Sequence, residues 1–247
     1  MLKGATSLAS FNINDKAITA DDIYYSLTLP DGVSVVVADD NDKYEVDGKT
    51  HYKSGAELTL TAPEGSYFKD EDNKLVTTEN YTMPAADTTL TATGLNLYTP
   101  PTITGINFVV DDEDKGYYEI KNADDLTALA NYVNNKHTCE GLTFKVVADI
   151  DLKDIENWTP LGLHVYKNAN IFGGTFDGGN HTISNLTVNG DSNVGLFGCF
   201  GLTGTIKNVT LVNANVSGNG DCVGGLVGNN LGSNNQRRKH SRRASHG

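Results

Sequence analysis

Apolar and polar residues alternate with a period of two through much of the first hundred positions. Tyr25-Ser26-Leu27-Thr28-Leu29, Val33-Ser34-Val35 and Glu57-Leu58-Thr59-Leu60-Thr61 each put every second side chain on one face. That period predicts half-buried β-strands. Turn signals at Pro30-Asp31-Gly32, Asp47-Gly48, Ser54-Gly55 and Pro63-Glu64-Gly65 keep the strands short, which predicts a small antiparallel β module over residues 20–97 behind a lead segment at 1–19. Pro100-Pro101 is stiff and has no amide hydrogens for a ladder, so residues 98–116 read as a linker or connecting strand.

The period changes once. Leu126, Leu129, Ala130 and Val133 recur at helical spacing behind Asn122 as a cap, with Asp124 and Asp125 in the first turn and Lys136 and His137 near the end. Together they predict an amphipathic helix at 123–135. Strand patterns return at Phe144-Lys145-Val146-Val147-Ala148 and Asp149-Ile150-Asp151-Leu152, followed by short apolar runs punctuated by Gly, Asn and Thr to about residue 230.

Those runs repeat. Thr182-Ile183-Ser184-Asn185-Leu186-Thr187-Val188 recurs as Thr205-Ile206-Lys207-Asn208-Val209-Thr210-Leu211, 23 positions later. Val194-Gly195-Leu196-Phe197-Gly198 recurs as Gly224-Gly225-Leu226-Val227-Gly228 after 30, the difference being ascribed to a loop inserted over 213–221. Repetition at such intervals predicts stacked coils: inward Ile, Leu, Val and Phe pile on those of the coil before, while Gly and Asn turn the corners. The expected fold is mainly β. A small antiparallel β module is followed at 117–230 by a right-handed parallel β-helix (solenoid), whose N-terminal end the 123–135 helix caps.

Charge and cysteine content narrow the function. A formal net charge of -12 over 247 residues opposes attraction to nucleic acid or anionic lipid, so neither nucleic-acid binding nor membrane insertion is expected. No run of apolar residues is long enough to span a bilayer. Met1 to Phe11 lacks the apolar stretch of a secretory signal, and the signal of an exported parent is expected to be missing from this chain. Cys139, Cys199 and Cys222 are odd in number and widely spaced, which suits neither a disulfide framework nor a zinc site. Residues 1–236 contain no arginine, whereas Arg237, Arg238, Arg242 and Arg243 crowd the end. This break marks 231–247 as a basic, disordered tail from a shifted reading frame or an appended end, outside fold reasoning.

Two resemblances follow from these residues. Tyr52-Lys53-Ser54-Gly55-Ala56-Glu57-Leu58-Thr59-Leu60-Thr61-Ala62, followed by Tyr81-Thr82-Met83-Pro84-Ala85-Ala86-Asp87-Thr88-Thr89-Leu90-Thr91-Ala92, resembles the bacterial repeat modules of internalin-type surface proteins, which are small β-grasp-like stalk units. Gly195, Leu196, Phe197 and Gly198, with Gly225, Leu226, Val227 and Gly228, resemble the Gly-Leu-hydrophobic-Gly core of the GLUG-motif surface proteins. Trp158-Thr159-Pro160-Leu161-Gly162 and Phe172-Gly173-Gly174-Thr175-Phe176-Asp177-Gly178-Gly179-Asn180-His181-Thr182-Ile183 are similar to that family's lead-in. The resemblance implies a secreted or surface-anchored, adhesin-like chain.

Enzymatic parallel β-helices use converging carboxylates, often calcium, and a basic side chain. Asp149 and Asp151 alternate on one strand as paired acids would, but the pattern is read as a solvated face beside Ile150 and Leu152. Asp177 before Gly178-Gly179 reads as a turn former. His164 and His181 lack metal-pair spacing, and the acidic runs at 39–42, 70–73 and 111–114 lack the EF-hand's Gly and terminal Glu. No catalytic residue, cofactor or metal is therefore expected. The sequence reads as a non-catalytic fragment of a bacterial cell-surface protein for adhesion or display, with a surface glycan or host protein as partner. The alternatives are a carbohydrate-active β-helix enzyme, lyase or hydrolase, and a pure structural stalk. The last coil has no counterpart of the capping helix, so self-association through it is expected.

Overall fold

The alternating stretch Glu57–Thr61 forms a strand that buries Leu58 and Leu60 and leaves Glu57 exposed. In the computed structural model, which describes residues 10–13, 16–19, 23–165 and 168–231, this strand is the centre of an antiparallel sheet between Ser34–Val37 and Thr78–Thr82. A four-stranded sheet runs in the order Thr88–Thr89, Tyr24–Thr28, Lys49–Lys53, Lys43–Val46, and only its first pair is parallel. Asp47 and Gly48 close the hairpin between its last two strands, both at positive φ (51° and 71°), as a two-residue turn matched to strand twist requires. Asn96–Tyr98, Tyr67–Lys69 and Leu75–Val76 make a third sheet. Tyr25, Tyr52, Leu58, Leu60, Phe68 and Met83 share one core.

The chain divides into two compact units, Met1–Pro101 with Val110–Gly116, and Thr102–Val109 with Tyr117–Gly247. Residues 98–116, expected as a linker or connecting strand, are shared between them and contain the strand Phe108–Val110. Ile103 and Ile106 are buried in the core of the second unit, while the Leu75 amide donates to the Asp114 carbonyl in the first. In the lead segment, Ser10–Ile13 pairs antiparallel with Lys16–Thr19. The rest of 1–19 and the expected basic tail from 232 onward lie outside the described residues.

The second unit holds the one α-helix among the described residues, Ala123–Asn134. The Asn122 side chain caps it by accepting from the Asp125 amide at 2.9 Å, and Asp125 accepts in turn from the Lys121 amide at 2.8 Å. Leu126, Leu129, Ala130 and Val133 are buried in the same core as the strands that follow. Asn134 ties the last turn to the next loop: its side-chain oxygen accepts from the Gly162 and Leu163 amides, and its side-chain nitrogen donates to the Pro160 carbonyl.

From Gly116 on, apart from an antiparallel pair of His164–Val165 with Asn168–Ala169, the strands pair in parallel with strands one pass later. Gly116–Ile120, Thr143–Val146, Thr175–Asp177 and Thr205–Lys207 follow one another in one ladder, which sets Tyr118, Phe144, Phe176 and Ile206 opposite each other. Ile150–Asp151, Thr182–Ser184 and Thr210–Val212 form a second ladder, aligning Ile150, Ile183 and Leu211. Thr187–Gly190 pairs with Asn215–Gly218, and Phe197–Phe200 with Val227–Asn230. The inward residues form one continuous apolar core. No sheet closes into a barrel among the described residues.

The registers correct the repeat length. Thr175 lies opposite Thr205, 30 positions on, and Thr182 opposite Thr210, 28 positions on. The recurrence after 23 matches Thr182-Ile183-Ser184 to Thr205-Ile206-Lys207, which belong to different ladders. Thr182-Ile183-Ser184, the second strand of one pass, and Thr205-Ile206-Lys207, the first of the next, are alike in composition, so the shorter offset aligns strands of different ladders. Nor is 213–221 an inserted loop, because Asn215–Gly218 within it is a paired strand. Asn180, Asn185, Asn193, Asn208 and Asn213 turn corners at φ between 53° and 62°, the left-handed region that Asn tolerates better than most residues.

Candidate functional site

The residues singled out by the repeat, Gly195, Leu196, Phe197 and Gly198 with Gly225, Leu226, Val227 and Gly228, occupy equivalent places in successive passes, with Phe197 opposite Val227. Leu196 and Phe197 are fully buried, and the Phe197 ring lies 5.3 Å from Phe172 and 5.2 Å from Phe176. The glycines are needed because backbone meets backbone here. A Cβ on Gly195 would stand 2.5 Å from the Gly224 carbonyl oxygen, one on Gly198 2.4 Å from that of Gly162, and one on Gly228 2.6 Å from the Val194 nitrogen. Gly225 differs, because a Cβ there would meet nothing within 4 Å. The Leu161 amide and the Trp158 indole N–H both donate to the Leu196 carbonyl, at 3.0 Å each. The motif thus joins passes and fills the core.

The acids considered for chemistry face outward and serve the same joints. Asp149 accepts from the Thr182 amide of the next pass at 2.8 Å, and His181 Nδ1 lies 3.4 Å away. Asp151 accepts from Asn185 Nδ2 at 2.8 Å and from the Lys153 amide at 3.0 Å, and Asn185 accepts from Asn213 one pass further on. Asp177 accepts from the Gly179 amide and from Asn208 Nδ2, both at 3.0 Å, with Lys207 Nζ at 3.1 Å.

These bonds set the acids' ionisation. The Thr182 amide holds the Asp149 carboxyl below the usual carboxylate range, and the Asn185 side chain does the same for Asp151. Burial pushes the Asp177 carboxyl upward, but the combined bonds from Gly179, Asn208 and Lys207 outweigh it, and the net shift is downward. All three are acceptors held ionised, the opposite of what a general acid requires.

A further row is not evident from the sequence pattern alone. The Asn189 amide donates to the Asn157 side chain at 2.7 Å, Asn157 Nδ2 donates to the Asn189 carbonyl at 3.2 Å, and Ser217 Oγ bonds Asn189 Oδ1. Its signal is the spacing of Asn157, Asn189 and Ser217, close to the pass length, which becomes readable only once that length is corrected.

Among the described residues, no three His, Cys, Asp or Glu side chains converge as metal ligands, and the side chain of His164 lies outside them. Cys139, Cys199 and Cys222 are free thiols. Burial drives Cys139 up to about 12 and also raises Cys199. Trp158, the chain's single tryptophan, is buried, so it offers no exposed platform for a sugar ring. Among the described residues, no helix is long and apolar enough to cross a membrane.

Part of the chain is similar to two known proteins. It is 38% identical over 122 residues to Halomucin of Haloquadratum walsbyi, a match covering 47% of this chain and 1% of that protein. It is 36% identical over 124 residues to a protein of Evansella cellulosilytica described as a Gly-rich membrane protein, covering 47% of this chain and 13% of that one. The chain therefore spans a small part of the length of these relatives. No family model matches the chain, and no solved structure matches it significantly.

Proposed function

We propose that this chain is a non-catalytic part of a larger bacterial cell-surface protein, used for adhesion or display, whose second unit is a right-handed β-solenoid of the GLUG type capped by the Ala123–Asn134 helix. The first unit, in this reading, is a stalk module of the internalin-repeat kind. The observation that carries the proposal is the use of Asp149, Asp151 and Asp177: each carboxylate accepts a hydrogen bond from the following pass. Acids committed to holding one pass to the next are structural, and among the described residues their ion-pair partners are Lys153 for Asp151, Lys207 for Asp177 and, when protonated, His181 for Asp149. The parallel ladders and the Gly-to-backbone approaches support the solenoid. The descriptions of the relatives, a halomucin and a membrane protein, support a place at or outside the cell envelope.

A glycan array run beside a reducing-sugar release assay tests this. Binding to a glycan class without release of reducing ends, or neither binding nor release, fits display. Release from any polysaccharide, abolished by Asp149→Asn or Asp151→Asn, would replace the proposal with the β-helix enzyme.

A further inference from the structure

In the first unit two sheet edges face one groove. Ser34–Val37 is the terminal strand of one sheet and Lys43–Val46 that of another, and the short turn at Asp40–Asp42 connects them. The groove between them measures about 300 Å³, and Val35, Val37, Glu45 and Tyr52 are among the residues that line it. Lys43 lies opposite Tyr52 and Glu45 opposite Thr50, so these side chains share the face on which Tyr25 and Tyr52 enter the core. The groove therefore borders the core of this unit.

One of its walls is an unguarded strand edge. Val37 lies opposite Leu58, and the next amide, that of Ala38, donates to the Glu57 carbonyl. Bonded and non-bonded pairs alternate along an antiparallel ladder. Ser34, Val36 and Ala38 therefore bond to the neighbouring strand, while the amides and carbonyls of Val35 and Val37 point away from it, on the side of the groove. Among the described residues no strand pairs with this edge. Natural proteins commonly blunt such an edge with charge or proline, yet Ser34–Val37 has neither, and Val36 is 64% exposed.

The surroundings select what fits. Residues 39–47 contain Asp39, Asp40, Asp42, Glu45 and Asp47 against Lys43 alone. Asp40 is paired with Lys43 at 2.7 Å and Asp42 with Lys53 at 3.5 Å, whereas Glu45 forms no ion pair among the described residues. A second copy of the chain would bring the same acids to the same place, so the charge favours a basic partner over a copy.

We infer that Ser34–Val37 receives an extended basic segment of another protein as an added strand. Its main chain bonds to Val35 and Val37, its alternate apolar side chains lie against Val35, Val37 and Tyr52, and a Lys or Arg meets Glu45. The inference goes beyond the display reading, which assigns nothing to this edge, and each can fail without the other.

Titration of the full chain into a short labelled peptide of alternating Val and Lys, followed by fluorescence anisotropy, tests it beside a peptide of alternating Val and Glu. The Val-Lys peptide should bind and the Val-Glu peptide should not. Glu45→Lys should weaken binding at least ~10-fold, whereas Glu71→Lys, at an exposed acid elsewhere on the unit, should leave it nearly unchanged. Hydrogen exchange reads the edge without any substitution: the Val35 and Val37 amides should exchange freely in the chain alone at every concentration and slow when the Val-Lys peptide is added. No binding of that peptide, equal binding of both, or equal weakening by Glu45→Lys and Glu71→Lys, which would mean diffuse charge attraction, each overturns the inference. So does slow exchange of these amides in the chain alone, which would mean that another segment of the chain takes the edge, and so does slowing with protein concentration, which would mean that a second copy takes it.

Discussion

Asp177 Oδ1 accepts from Asn208 Nδ2 at 3.0 Å, joining a side chain at the end of one strand to a corner asparagine one pass later. The same carboxylate closes its own turn through the Gly179 amide and meets Lys207. Groups from two parts of the chain, Gly179 in its own turn and the neighbours Lys207 and Asn208 one pass later, converge on one anion that is only 15% exposed. Removing it takes the acceptor from the part-buried Gly179 N–H and from the exposed Asn208 side chain, and unties one pass from the next.

Asp177→Ala should therefore destabilise the second unit by about 2–3 kcal/mol, the usual range for losing hydrogen bonds to a charged group. Denaturant unfolding followed at the Trp158 fluorescence, a reporter buried in that unit, measures the change. A shift of the midpoint too small to distinguish from that of an exposed control substitution would show that the corner holds without its acid.

Acid should loosen the same joints. Asp149, Asp151 and Asp177 all have folded-state pKa values below the ordinary carboxylate range. A depressed folded value means that the unfolded chain takes up protons first, so the contribution is present in full above the unfolded pKa of about 3.9 and is lost as pH falls through the folded values. The unfolding midpoint of the second unit should change little on these groups' account from pH 7 to about pH 5 and fall below about pH 4. An Asp149→Asn/Asp151→Asn/Asp177→Asn triple variant should show a shallower decline than the native chain. Parallel curves would remove these carboxylates from the acid response.

Much of this architecture is legible in the residues, and the points where sequence and structure part have physical causes. The helix is legible because Leu126, Leu129, Ala130 and Val133 combine with a cap at Asn122, signals that act within a dozen residues. The strand at Glu57–Thr61 is legible because one of its faces is buried and the other is not. The pass length is not, because parallel pairing links strands about thirty residues apart, while the local composition of successive strands is nearly the same. Within residues 98–116 the prolines at 100 and 101 are a local signal, whereas the burial of Ile103 and Ile106 depends on strands far along the chain and cannot be read from them. Asp149 and Asp151 read as a solvated strand face from the pattern alone, and their joining of passes becomes visible once their partners, Thr182 and Asn185, are placed opposite them.

The helix is expected to be integral to the second unit. Leu129 has no exposed surface and packs in the core that holds Tyr118, Phe144 and Phe172. Leu129→Asp would put an unpaired carboxylate into that core and remove a buried leucine, a loss of about 3–5 kcal/mol or more. Thermal unfolding followed at Trp158 should shift strongly downward. An unchanged transition would mean that the strands hold together without the helix, and the capping role would fail.

The repeat motif offers a comparison in which chemistry is constant and only the surroundings differ. Gly198 and Gly225 both belong to Gly-Leu-hydrophobic-Gly segments, and neither has positive φ, so alanine is not excluded at either by backbone conformation. At Gly198 the added methyl would stand 2.4 Å from the Gly162 carbonyl oxygen and 2.9 Å from that of Asn193, with no flexible side chain able to yield. At Gly225 it would meet nothing within 4 Å. Gly198→Ala should therefore force passes apart and cost about 1–3 kcal/mol or more, whereas Gly225→Ala should stay within ~0.5 kcal/mol of the native chain. Chemical denaturation of the two variants side by side decides the matter. If both glycines proved equally sensitive, the motif would owe its glycines to something other than the close approach of neighbouring backbones. If Gly198→Ala alone is destabilised, the spacing between passes is what requires glycine at that position.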